Sequence, residues 1–168
     1  MRFFKLALIS LIIIFLLFTF IGLLLPSSVT VTRKEFINAP ADSVRFYTNN
    51  IYHWKYWLNG VDTNYKLPVS PTGKNAKIKL GAYTISVLKN NPENIITLWK
   101  GKNTRDRICH IQLYNDDPNA TTIYMSFQQH LSWLPWDRLG GMLHDEVIGP
   151  SIQASLDKLK QVVEKSED

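Results

Sequence analysis

"NAPADSVRFYTNNIYHWKYWLNG", residues 38–60, decides how the rest of the chain is read. Pro40 suits the start of a helix, where its missing N–H costs nothing. Asp42 then falls in the first turn, at the positive end of the helix dipole. Val44, Tyr47, Ile51, Trp54 and Leu58 follow at spacings of three and four, an apolar helical stripe. Asn49-Asn50 predicts a break into two short helices, and Gly60 closes the unit. Trp54 is in phase with the stripe, so it is expected in a core. Trp57 is one step off. It is expected at a cavity mouth, or near a membrane surface, where Trp is favoured.

Upstream, residues 29–38 (VTVTRKEFIN) are rich in β-branched residues and predict a strand. Before them, residues 6–25 carry no charge. A helix of about 20 residues is roughly 30 Å long, the thickness of a bilayer's hydrocarbon core. A signal-peptide apolar region is shorter, about 7–15 residues, and no A-x-A site follows this one. Residues 1–26 therefore predict an uncleaved signal anchor, and residues 27–168 one domain. Arg2 and Lys5 precede the span, while Arg33 and Lys34 follow it, so flanking charge barely sets the orientation. The short basic tail favours a single-pass inner-membrane protein of bacterial style, with its domain on the periplasmic or extracytoplasmic side.

Downstream the pattern turns β. Residues 61–67, 76–80, 82–89, 95–101, 105–115 and 121–133 read as strands joined by short polar links, which implies antiparallel hairpins. With residues 29–38 that makes seven. Residues 135–164 return to a three/four period through Leu139, Met142, Leu143, Val147, Ile152, Leu156, Leu159 and Val163. Gly140-Gly141 and Gly149-Pro150 interrupt it, and Pro150 predicts a kink.

The order of a strand, "INAPADSV", "HWKYW", six further strands and a helix carrying "GPSIQASLDKLK" resembles the SRPBCC (START-like, helix-grip) superfamily. The polyketide cyclase/dehydrase-type branch is most similar, including membrane-anchored examples alike at "LPSSV". The resemblance covers roughly residues 29–165. It implies an α+β fold in which a seven-stranded antiparallel sheet wraps a long C-terminal helix, often around a cavity for a hydrophobic ligand. It implies little about activity, because one fold of this kind hosts carriers, cyclases and co-chaperone modules.

Little in the residues points to chemistry. His144-Asp145-Glu146 is the one local concentration of metal-ligating types. Adjacent helical residues point about 100° apart, so a solvated face is the simpler reading, and no metal site is expected. Cys109 and His110 are neighbours in a strand and face opposite sides, which opposes a dyad. Cys109 is the sole cysteine, so no internal disulfide exists. No phosphate-cradling loop, nucleophile elbow or zinc motif occurs, and no cofactor is expected. The net charge is +5, and without Arg2 and Lys5 it falls to about +3. The lysines and arginines of residues 74–107 read better as solvated strand positions than as a headgroup-binding face. That modest charge, together with the apolar span, opposes nucleic-acid binding, which needs a basic groove lined by aromatics.

Strand parity sorts the residues that could line a cavity. Ile123, Met125, Phe127, Gln129 and Leu131 form the apolar set of the last strand, with Gln129 its lone polar member. Cys109, Ile111 and Leu113 form the matching set next to it, which puts His110 outside. Between Ile95/Thr97/Trp99 and Ile96/Leu98 the pattern does not decide. The expected lining is Trp57, Tyr83, Trp99, Ile111, Met125, Phe127, Gln129, Leu143 and Ile152. No catalytic pair emerges. The expected function is a membrane-tethered, non-catalytic binder of a hydrophobic small molecule or lipid. A cyclase/dehydrase-type enzyme and a ligand-free interaction or stress-response module are the alternatives.

Overall fold

The computed structural model describes residues 2–60, 76–102 and 104–167. The long apolar helix α1 (Arg2–Leu24) comes first, then strand β1 (Ser28–Ile37). The 38–60 stretch folds as α2 (Ala41–Thr48), a 3-10 turn (Ile51–His53) and α3 (Trp54–Trp57). Pro40 is the cap of α2, and its carbonyl accepts the Ser43 and Val44 N–H groups. The expected break falls at Asn49-Asn50, where the Asn50 side chain accepts the Tyr52 N–H and starts the 3-10 turn.

Strands β2 (Lys77–Leu80), β3 (Tyr83–Asn91), β4 (Asn94–Gly101), β5 (Arg107–Asp117) and β6 (Ala120–His130) follow. Every pairing is antiparallel, in the order β1-β6-β5-β4-β3-β2. The described sheet thus has six strands, not the expected seven. The seventh expectation, residues 61–67, lies outside the described residues. Gly81 turns the β2–β3 hairpin at φ 53°, a left-handed conformation that favours glycine.

The chain ends in α4 (Pro135–Met142) and α5 (His144–Glu167). The helical break falls at Leu143. Pro150, expected to interrupt the helix, lies inside α5, and the helix continues through it. Ile152, Leu156, Leu159 and Val163 bury one stripe of α5 on the sheet's inner face. Alternation sets that face: β6 buries Thr121, Ile123, Met125, Phe127 and Gln129 in strict period two. On β4 the inward set is Ile95, Thr97 and Trp99. Polar clamps fix α5 along β1. Arg33 donates to both carboxylate oxygens of Asp145 at 2.8 and 2.9 Å, and Lys160 reaches Glu35 at 3.1 Å.

At the other end, α1 packs along α4. Leu11, Ile14, Phe15 and Phe18 face Pro135, Trp136 and Leu139 across a wholly apolar groove. Arg138 closes the seam by donating to the carbonyls of Gly22, Leu23 and Leu25 at 3.0, 3.3 and 2.8 Å. Those carbonyls lie at the end of α1, where the last turn has no helical partners of its own.

Candidate functional site: a cavity between sheet and helix

A cavity of about 420 Å³ lies between the sheet and α5. That is within the range of small-ligand sites, roughly 300–1,000 Å³. Leu80, Tyr83, Trp99, Met125 and Phe127 form the sheet wall. Val147, Ile148, Ser151, Ile152 and Ser155 form the helix wall, and Leu58, Asn59 and Gly60 close one end. The aromatic floor is ordered: Trp99 meets Phe127 edge-on at 4.9 Å, and its indole N–H donates to Thr97 Oγ1 at 3.0 Å. Trp99 therefore presents its apolar ring to the cavity with its polar atom already satisfied.

Of the expected lining residues, Tyr83, Trp99, Met125, Phe127 and Ile152 meet at this cavity. The other four stand elsewhere. Trp57 is fully buried beside Trp54, with ring centres 5.6 Å apart, and its indole N–H donates to the Tyr47 carbonyl at 3.1 Å. It is a core residue, at neither a cavity mouth nor a membrane surface. Trp57 follows Trp54 by three residues within α3, a spacing that puts both rings on one face of the helix. Ile111 faces inward but is sealed in the core. Gln129 also faces inward, 8% exposed, but stands behind the wall. Leu143 is 56% exposed, because the break at that residue turns it away from the sheet.

Parity would also have found a cation of the site. Arg107 shares the inward face of β5 with Cys109, Ile111 and Leu113, and it lines the cavity. Its Nε donates to Gln129 Oε1 at 2.8 Å, and His144 Nε2 lies 3.3 Å from the same oxygen. The guanidinium carbon stands 5.6 Å from the centre of the Tyr83 ring, a cation–π distance. Among the described residues, no carboxylate lines the cavity. A second hollow, of about 460 Å³, opens between α2 and strands β4 and β5, but its walls are largely polar, with Arg45, Glu93, Asn94, Gln112 and Asn115 beside the single ring of Tyr114.

Titration shifts cluster away from the cavity. Burial pushes the Cys109 thiol up, against a weaker opposing hydrogen bond with Thr97. Cys109 is thus a packed apolar side chain rather than a nucleophile. A hydrogen bond from Arg33 holds Asp145 below the usual carboxylate range. Asp137 is also lowered. Desolvation alone would raise it, but hydrogen bonds from Arg105 and Ser132 together outweigh that. Among the described residues, no three His, Cys, Asp or Glu side chains are grouped to hold a metal ion.

No family model and no curated protein matches the chain in sequence. Solved structures do match in shape. A START superfamily protein from Mycobacterium smegmatis superposes with a TM-score of 0.63 at 12% identity, over 81% of this chain and 97% of that one. A norcoclaurine synthase from Thalictrum flavum gives 0.63 at 12% identity, over 84% and 97%. The Zhui aromatase/cyclase from Streptomyces sp. R1128 gives 0.62 at 12% identity, over 84% and 96%. The fold is therefore the START-like, helix-grip one expected from the motif order. At such identities the likeness extends to the fold alone.

Proposed function

We propose that this protein is a membrane-tethered, non-catalytic module that shelters a hydrophobic small molecule or lipid between its sheet and α5. The carrying observation is the cavity of about 420 Å³, walled by Leu80, Trp99, Met125, Phe127, Ile148 and Ile152. The hollow is partly open, so its apolar walls stand against solvent, and an apolar guest would remove that surface from water. The same volume speaks against a ligand-free interaction module. For the tether, Phe3–Leu24 is a helix long and apolar enough to cross a bilayer. The basic N-terminal tail favours the inner membrane, with the domain on the extracytoplasmic side.

A second reading is a cyclase/dehydrase-type enzyme acting on a hydrophobic substrate. The hydrogen-bonded chain His144–Gln129–Arg107 at the cavity favours it. It is the lesser reading, because an acid or base must reach the reacting atom, and His144 does not line the cavity.

The test is co-purification. The full chain is isolated from its host in mild detergent, extracted into organic solvent and analysed by mass spectrometry beside Ser151→Trp. Ser151 is exposed at the cavity wall, so the indole fills the space without removing core. A compound present with the wild type and missing from the variant supports the reading. Lipids that merely surround α1 will accompany both. Identical extracts refute it.

A further inference from the structure

We infer that the guest of this cavity is an amphiphile with a single carboxylate, held head-first by Arg107, an inference that rests on the binding reading above. Among the described lining residues Arg107 is the one cation; the others offer aromatic rings, aliphatic chains, two serines and an asparagine. A guanidinium presents five N–H donors. The Nε–H is committed to Gln129 at 2.8 Å, and Gln129 is itself held by His144. The two terminal nitrogens have no hydrogen-bond partner among the described residues, and together they form the edge that matches a carboxylate bidentately.

The bond through Nε also fixes the plane of the group. The Tyr83 ring, 5.6 Å from the guanidinium carbon, flanks it. The cation is thus pre-oriented before any ligand arrives, which reduces the entropy lost on binding. Beyond it lie Trp99, Phe127 and Met125 on the sheet, facing Ile148 and Ile152 on the helix. These are surfaces for a hydrocarbon chain or fused rings, with only the neutral polar groups of Ser151, Ser155 and Asn59 beside them.

Charge balance narrows the class. Among the described lining residues no carboxylate offsets the positive charge of Arg107. A monoanion neutralises it. A phosphate monoester, at about −1.5 to −2, would leave excess negative charge against largely apolar walls. A neutral ester, alcohol or hydrocarbon would leave the guanidinium unpaired behind it.

The experiment titrates the full chain, in a sugar-headgroup detergent, with matched carboxylic acids and their methyl esters from eight to sixteen carbons, and with dodecyl phosphate. Native mass spectrometry reads the bound fraction. The acid should bind about 10- to 100-fold tighter than its ester, the usual range for a charged hydrogen-bonded pair. Arg107→Gln should remove that preference while leaving ester binding in place. Arg107→Lys should retain part of it, because the charge stays and the planar fork goes. Ester binding by each variant reports that its cavity is still folded. Equal affinity for acid and ester in the wild type, or an acid preference that survives Arg107→Gln, overturns the head-group assignment and leaves the cavity reading standing. Tighter binding of dodecyl phosphate than dodecanoate overturns the carboxylate class. Failure of every acid and ester to bind overturns the binding reading itself.

Discussion

Leu156→Ala tests whether α5 is gripped by the sheet as described. Leu156 is fully buried in the middle of the α5 stripe, between Ile152 and Leu159. The substitution removes three carbons from water-free surroundings, at about 0.8 kcal/mol each, or about 2.4 kcal/mol. The cavity left behind adds to this, giving an expected loss of about 2–5 kcal/mol. For a domain of this size, a mid-range loss of about 3 kcal/mol lowers Tm by about 6–12 °C. The paired control is Leu143→Ala. Leu143 belongs to the same three/four pattern in the sequence but is 56% exposed, so its loss should stay within about 0.5 kcal/mol. Melting followed by near-ultraviolet circular dichroism in detergent reports the tertiary packing around the domain's aromatic side chains rather than the helical content of α1. Equal shifts for the two variants, or none for Leu156→Ala, would mean that α5 does not sit on the sheet in this register.

Three further outcomes are expected. Cys109, buried and with its thiol pushed up, should resist iodoacetamide at pH 8 in the folded chain and react fully once denatured; rapid labelling of the native protein would contradict its burial. Asp137, lowered in the folded chain, contributes stability that is present above its unfolded value near pH 4 and is lost as pH falls through the folded one. The penalty of Asp137→Asn, read as a shift in urea midpoint, should therefore shrink between about pH 5 and pH 2, and a pH-independent penalty would refute the Arg105 and Ser132 contacts. A side chain at Gly22 would put its Cβ 2.7 Å from the Pro135 Cα, backbone that cannot yield easily. Gly22→Val should part α1 from α4, measured as a lost disulfide cross-link between Phe18→Cys and Leu139→Cys; an undiminished cross-link would refute the packing.

Much of this was legible in the sequence because two periods seldom mimic each other. The period-two run from Thr121 to Gln129 fixed the inner face of β6, and that of β5 followed from Cys109, Ile111 and Leu113. Strand β4 was illegible because Ile96 and Leu98 sit half-buried on the outer face, so both faces carry apolar residues. Trp57 and Leu143 were misplaced for different reasons. Trp57 stands three residues after Trp54 in α3 and shares its inward face, and Leu143 lies where a helix break resets the angle. Arg107 was readable by parity but was grouped with the solvated lysines and arginines, since charge is ordinarily an outward signal. That two serines and an arginine would share walls with Trp99 and Phe127 is a tertiary fact that no local period carries.

The seam between α1 and α4 has a mechanical consequence. A domain hung from a membrane helix by a flexible linker swings freely, and its orientation averages out. Here Arg138 is bonded to three carbonyls at the very end of α1, Pro135 lies against Gly22, and only a few residues separate α1 from β1. α1 and the domain therefore turn as one lever. In the membrane-tethered reading proposed above, a tilt that a bilayer imposes on α1 is passed to the domain, so the direction in which the cavity faces follows bilayer thickness rather than chain slack.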